Sequence, residues 1–472
     1  MSKGKKALKV IGIIFGSLIA LIIVVHIILN IVFGIQLRNK IAELKVQGMP
    51  MTIAEIVPLP VPDEENAALL YNKAFILMTT AEGGTPYIPN KERGTKNNVI
   101  KTITDVKSFS DISEWTDEQR NEIPQLINSR DMQYIYELLE EGSQKPKCNF
   151  NRNYEDGLGM RFPDLEYMRD TERLLCAKAL LQAESGNTGK AFDTLIVGLK
   201  ISNHLKDGLT LIEQLIRIAC DGIIIECIES ISDSKGISPE KANLIMNELS
   251  THEGIEPFIK CMDGERLYGI LVFEQISKGE ISLRDMMGKI HGELQENALV
   301  FSLFNILYYR PIMKKDFAYY LTVLSKMQDN YNIPYYEYKN AQTIPFDQEW
   351  QQARQKFYIF TAALLPGLDR VRDLQERHQA NIGVCRVGLA LKLHKAKNGI
   401  YPEKLEGLAP EFLREIPTDP FSGKGLIYSR YIGGFKLYSL GPNMRDDYGT
   451  PRAKEQDAPA NKDYDIVWES GS

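Results

Sequence analysis

Zinc and nucleophile motifs are missing from this 472-residue chain. Its six cysteines, Cys148, Cys176, Cys220, Cys227, Cys261 and Cys385, contain no C-x-x-C pair, and its six histidines form no H-E-x-x-H. Zinc is therefore not expected. The cysteines lie in apolar, helical surroundings, which points to core packing, and Cys220 and Cys227 are too far apart on one helix to bridge each other. G-x-S-x-G is absent too, so the hydrolase elbow is lacking. Gly186-Asn187-Thr188-Gly189-Lys190 has neither the spacing of a P-loop nor its Ser/Thr after lysine, and Gly157-Leu158-Gly159 completes no dinucleotide fingerprint. Grouped acids such as Asp263 and Glu265, or Glu137, Glu140 and Glu141, read as helix-surface carboxylates. No catalytic or cofactor-binding residue is assigned, and a non-enzymatic role is expected.

A basic surface is lacking as well. Setting aside Lys3, Lys5, Lys6 and Lys9, 52 basic residues face 62 acidic ones, a formal charge of −10. Nucleic acid is excluded as a partner, because phosphate backbones are held by clustered Lys and Arg.

What the chain does have is one long apolar run, Val10 to Phe33, with those four lysines before it and no acid. About 24 helical residues span ~36 Å, enough to cross a ~30 Å hydrocarbon core. Arg38, Lys40 and Lys45 follow the run but are diluted by Glu43, so the tail should stay cytoplasmic. A cleaved signal would be shorter, and Val32-Phe33-Gly34 only weakly resembles a cleavage site. The expected location is the cell (inner) membrane, single-pass, with the bulk extracytoplasmic. Gly12, Gly16 and Ala20 share one face of this helix, where two copies can dimerise into a homo-oligomer.

The remainder divides as follows: a tail at 1–9, the transmembrane helix at 10–34, a Pro-rich extended connector at 35–62, an α-helical array at 63–368 and an α+β domain at 369–472. Asp63 is placed to cap the first helix of the array. Gly83 to Trp115 reads as a surface loop, and a succession of amphipathic helices follows, repeat-like but without a strict period. Within Leu209 to Ile231, Glu213, Arg217 and Asp221 sit four apart and read as a solvated charge ladder. The runs Ala298 to Tyr309 and Phe357 to Leu368 are too short to span a bilayer and read as core helices. A long helix carrying Val371, Leu374, His378, Ile382, Cys385, Leu389 and Leu393 ends at Gly399, with His378 expected as a packed histidine. Beyond it the pattern becomes extended: Leu426 to Ile432 and Phe435 to Leu440 flank Gly433-Gly434, a hairpin signal. The fold class is thus mainly α, with a small α+β C-terminal domain.

Gly399-Ile400-Tyr401-Pro402, then Asp419-Pro420-Phe421, Tyr438-Ser439-Leu440-Gly441 and Asp463-Tyr464-Asp465-Ile466 follow the order of motifs in one known domain. This segment, about a quarter of the chain, resembles the C-terminal domain of type II secretion major pseudopilins (G-type). The resemblance implies a long helix, a hairpin and a calcium-binding loop, with Ser439, Asp463 and Asp465 as ligands and Asn443 where the family has an aspartate. The chain departs from that family at its start: Gly12-Ile13-Ile14-Phe15-Gly16 carries no glutamate where a pseudopilin has one, so it should not be a pilus subunit. The rest resembles uncharacterised membrane-anchored helical proteins of planctomycete-like bacteria. Together these imply an interaction, scaffold or assembly protein of the bacterial cell envelope with a protein partner. The alternatives are an accessory component of a type II secretion or pilus-like system and an unrecognised envelope hydrolase.

Overall fold

The computed structural model describes residues 3–80, 102–103, 106, 109, 111–281, 310–340, 346–356, 358–365, 369–451 and 464–471. The expected run Ala298 to Tyr309, most of the loop from Gly83 and Asp463 lie outside these residues. Among them are fourteen α-helices and one three-stranded antiparallel sheet.

Helix α1 (Lys3–Val46) is unbroken for 44 residues. From Val10 to Ile35 most of its large apolar side chains are 41% to 64% exposed, Leu29 and Phe33 being half-buried, an exposure that a hydrocarbon surrounding makes favourable. It is the one described helix long and apolar enough to cross a membrane. The helix does not stop where its apolar run does. It continues through the residues expected to be extended, and Leu37 and Leu44 are buried in the body. The stop is chemical: Gly48 takes φ 78°, its amide bonds Lys45 O at 3.0 Å and the Met49 amide reaches back to Leu44 O at 3.0 Å, a Schellman pattern. Only then does the proline segment begin, and it is fastened: Met51 is buried and Pro50 O accepts from Arg266 Nε at 3.4 Å.

The array follows as α2 (Ala67–Thr80), α3 (Asp117–Ile127), α4 (Arg130–Ser143), α5 (Pro163–Glu184), α6 (Thr188–Asn203), α7 (Leu211–Lys235), α8 (Pro239–Ser250), α9 (Glu256–Lys278), α10 (Arg310–Asn330), α11 (Tyr335–Asn340), α12 (Phe346–Gln355), α13 (Ile359–Leu364) and α14 (Asp369–Asn398). Local capping sets several starts. Thr116 and Gln119 form a capping box on α3, Ser129 caps α4, Thr210 and Glu213 box α7, and Ser238 precedes Pro239 on α8. Asp63 sits in a 3-10 turn instead of capping α2. Asn66 does that work, its Oδ1 accepting from the Ala68 amide at 3.1 Å and from the Asn149 amide at 2.8 Å.

Two cores result. The larger is built from α2 to α8, α14 and the sheet; the smaller joins the end of α1 to α9, α10, α13 and the start of α14. The smaller core takes in Phe360, Ala363 and Leu365, as expected of that apolar run. Its helix α13 lacks a local cap. Asp316 on α10 replaces it, accepting the Phe360 amide at 2.7 Å and the Thr361 amide at 3.0 Å. Five of the six cysteines are buried and all six are free thiols.

After α14 come β1 (Ile427–Tyr431), β2 (Gly434–Ser439) and β3 (Ile466–Ser470), with β2 central. Tyr431 pairs with Gly434, so the hairpin turn is Ile432-Gly433, one residue earlier than the double glycine suggests. The sheet shares the array's core and does not form its own: Phe435, Leu437 and Trp468 pack with Ile382, Val384 and Leu389. Asp233 at the end of α7 pins it, accepting from Trp468 Nε1 at 2.8 Å and pairing with Lys392 at 2.6 Å. Gly388 on α14 makes room for the indole, since a Cβ there would lie 2.0 Å from Trp468 Cε3. Gly388→Ala should therefore cost about 1–3 kcal/mol by overpacking and shift the Trp468 fluorescence, read by urea unfolding; an unchanged midpoint would contradict this packing.

Candidate functional site

The Glu213, Arg217 and Asp221 stripe is not solvated. Exposures of 4%, 0% and 0% place it inside the protein, a correction to the sequence reading. The reason is tertiary: α7 packs against α5, α6, α9 and α14, leaving that stripe no side open to water. Buried charges must then find partners from other elements.

Glu213 finds Arg152. The guanidinium forms a bidentate pair with Asp164 at 2.6 Å, while its Nε donates to Glu213 Oε1 at 2.8 Å. Phe150 and Phe162 cover it, at 5.4 and 4.9 Å from their ring centres. Glu213 Oε2 meanwhile accepts the Thr210 amide and hydroxyl at 3.0 and 2.8 Å, so one carboxylate both caps α7 and anchors the loop before α5. Glu265, expected on a helix surface, instead accepts the Leu211 amide at 3.0 Å, and burial raises its pKa to about 6.

Asp221 gathers three elements. Its Oδ2 meets His378 Nε2 of α14 at 2.7 Å and His252 Nδ1, just after α8, at 2.9 Å; Ser202 of α6 donates to its Oδ1. His378 is thus the packed, hydrogen-bonded histidine expected. His252 was not singled out from sequence, and its lone occurrence in a turn carries no signal. Side chains around the trio knit the same elements: Gly254 bonds Gln379 and Gln375 of α14 at 2.9 Å each, and Arg386 pairs with Glu253.

Burial opposes a proton on His252, but the Asp221 charge and hydrogen bond, aided by Glu248, outweigh it and raise its pKa to about 9. Burial would raise Asp221, yet the two imidazoles hold it well below the usual carboxylate range. His378 is pushed down, by burial first and by Arg217 and His252, with Asp221 opposing. The trio therefore holds one carboxylate, one imidazolium and one neutral imidazole. Nearby Glu172 of α5 has no hydrogen-bond partner on either oxygen, and burial, then Asp221, raises its pKa well above normal. Arg217 likewise keeps Nε and Nη2 without partners.

Chemically this is a clasp. Ser202 donates to the carboxylate, not to an imidazole, so no nucleophile and base are paired, and all four side chains are buried. Among the described residues no group of three or more His, Cys, Asp or Glu is set out to hold a metal. An apolar cleft lined by Ile53, Ile56, Tyr154, Met160, Leu209 and Tyr268 offers about 20 Å³, the room of one water.

Of the four residues tied to calcium by resemblance, Asp463 lies outside the described residues, while Ser439 ends β2, Asn443 follows it in a loop and Asp465 immediately precedes β3. Ser439 is buried and donates to Asp419 Oδ1 at 2.7 Å. It pairs with Ile466 at the start of β3, and Asp465, one residue before that strand, bridges to Pro451 instead. Asp465 Oδ2 accepts the Gly449 amide at 2.8 Å, while its buried Oδ1 has no partner. Burial raises its pKa, the Gly449 and Asp447 amides oppose, and the Asp447 and Asp446 carboxylates add to the rise. Asn443 donates to Asp447 Oδ2 at 2.7 Å on the same loop. Asp465, Asp447 and Asn443 thus offer an oxygen-rich set, while the Ser439 hydroxyl is engaged with Asp419.

Removing the clasp's carboxylate should be severe: Asp221→Ala strands a buried imidazolium and is expected to lower stability by about 3–5 kcal/mol in urea unfolding. The His252 contribution is complete below about pH 6.5 and is lost as pH rises through about 9. Asp221 and His378, both lowered, contribute at higher pH and lose it as pH falls. Stability should accordingly peak near neutrality, and His252→Gln should flatten the alkaline decline; an unchanged alkaline limb would show that His252 is not charged. No family model, no curated protein and no solved structure matches the chain.

Proposed function

We propose that this chain is a single-pass anchored protein of the bacterial cell envelope, with its tail cytoplasmic and its helical body beyond the inner membrane as an interaction and scaffold surface. The observation that carries this reading is that one unbroken helix exposes apolar side chains from Val10 to Ile35 and then contributes Leu37 and Leu44 to the body's core. Retention of the anchor is supported by the passage of α1 straight through Val32-Phe33-Gly34, with Gly34 buried near Lys314. The lysines before Val10 favour the cytoplasm for the tail. A scaffold role is supported by the buried titratable groups, which join helices to one another. Gly12, Gly16 and Ala20 remain uncovered on α1, a face through which two copies can associate.

The second reading, an accessory of a type II secretion or pilus-like system, draws on the C-terminal order of α14, the Asp419 turn, a hairpin and a third strand. Within that reading calcium would be held by Asp465, Asp447 and Asn443, which supply the oxygen donors that ion prefers and would tie the loop to β3.

Two measurements test these proposals. Alkaline carbonate should leave the full chain in the membrane pellet, and protease added to spheroplasts should digest the body; a carbonate-soluble or protected body overturns the anchored reading. Calorimetry of the detergent-purified chain should show heat at millimolar calcium that Asp465→Asn abolishes, whereas absence of heat removes calcium from the proposal.

A further inference from the structure

We infer that the body is seated on the bilayer by a basic collar, formed by Arg38, Arg310, Lys314 and Lys315, that binds anionic phospholipid headgroups; this rests on the anchored reading of α1. The collar's depth is set by the packing of α10 along α1. Lys315 Nζ lies 4.9 Å from the centre of the Phe33 ring, and Lys314 Nζ is 3.6 Å from where a Cβ on Gly34 would stand. Farther along, Arg266 joins Pro50 to Gln328, at 3.4 and 2.9 Å, so the two helices run in the same direction.

Two consequences follow from that shared direction. Phe33 closes the apolar run, so both ammonium groups stand where hydrocarbon gives way to headgroups. Arg310, four residues before Lys314, lies about 6 Å closer to the bilayer, and Arg38, four after Gly34, about 6 Å farther out. Long basic side chains at such depths extend their charge to the headgroup layer.

The collar's charge is unspent. Among the described residues none of the four has a carboxylate within ion-pair distance, in contrast to Lys40, which pairs with Glu43 at 2.7 Å. Arg38, Arg310 and Lys315 are exposed and Lys314 half-buried. The one acid beside them on α10, Asp316, is turned inward and bonded to α13. On a protein of net charge −6, four cations within about 12 Å of depth favour an anionic lipid leaflet over a zwitterionic one.

The test uses the full chain in mild detergent, mixed with equal amounts of phosphatidylglycerol and phosphatidylcholine of the same acyl chains and examined by native mass spectrometry. The expected result is retention of phosphatidylglycerol about threefold or more over phosphatidylcholine. That preference should fall to parity in the R38Q/R310Q/K314Q/K315Q variant and persist in K45Q, whose charge sits twelve residues beyond Phe33. Should the fourfold variant not fold, Arg310→Gln and Lys315→Gln, each at an exposed position, must each lower the ratio. Equal retention by the native chain, or an unchanged preference in the variants, overturns the collar. Carbonate extraction of the same preparations separates this outcome from loss of the anchor itself, since a collar without lipid preference still leaves the chain in the pellet.

Discussion

A carboxylate with no access to water governs the body of this protein. Asp221 sits on a helix packed against four others, and its two oxygens are shared among α6, the turn after α8 and α14. A buried anion costs several kcal/mol unless every lone pair is met by a donor. Separation of those three elements would leave it unmet, so their positions are tied together more tightly than apolar packing alone would require. The Arg152 pair repeats the principle one stretch along the same helix, tying the loop before α5 to the start of α7. Between them the two networks fix α7 as the axis on which α5, α6, α9 and α14, and through Asp233 the sheet, are assembled.

The smaller core has a different origin. It is built around the part of α1 that follows the exposed apolar run, and it depends on a change of face: apolar residues that are mostly exposed give way, after Gly34, to a helix with Leu37, Ile41 and Leu44 turned to α10. Asp316 brings α13 into this core by supplying the cap that its own sequence lacks. The exposed apolar segment and the part of α1 packed into the body are therefore one continuous helix, with no break between them.

Much of this was legible from residues alone. The apolar run, the amphipathic array, the long helix through His378 and the hairpin all followed from periodicity and turn chemistry, because those signals are local. What escaped was whatever depended on distant neighbours. Glu213, Arg217 and Asp221 at i,i+4 spacing look the same whether they face water or an interior, and only α5, α6, α9 and α14 decide between the two. Asn66 replaced Asp63 as a cap because the segment at 147–149 comes alongside it. The extension of α1 past Phe33 was masked by polar residues on its outer face, although Gly48 marked the true stop. His252 carried no pattern at all, and its importance arises wholly from meeting Asp221.

Because α1 enters the smaller core without a hinge, it behaves as a rigid mast. Forty-four helical residues make a lever about 66 Å long. Bilayers of different thickness impose different inclinations on a spanning helix, and a mast of this length transmits any inclination undiminished to the mass at its top. With α1 anchored as proposed, local membrane thickness would thus be converted into the angle at which the body presents its surfaces.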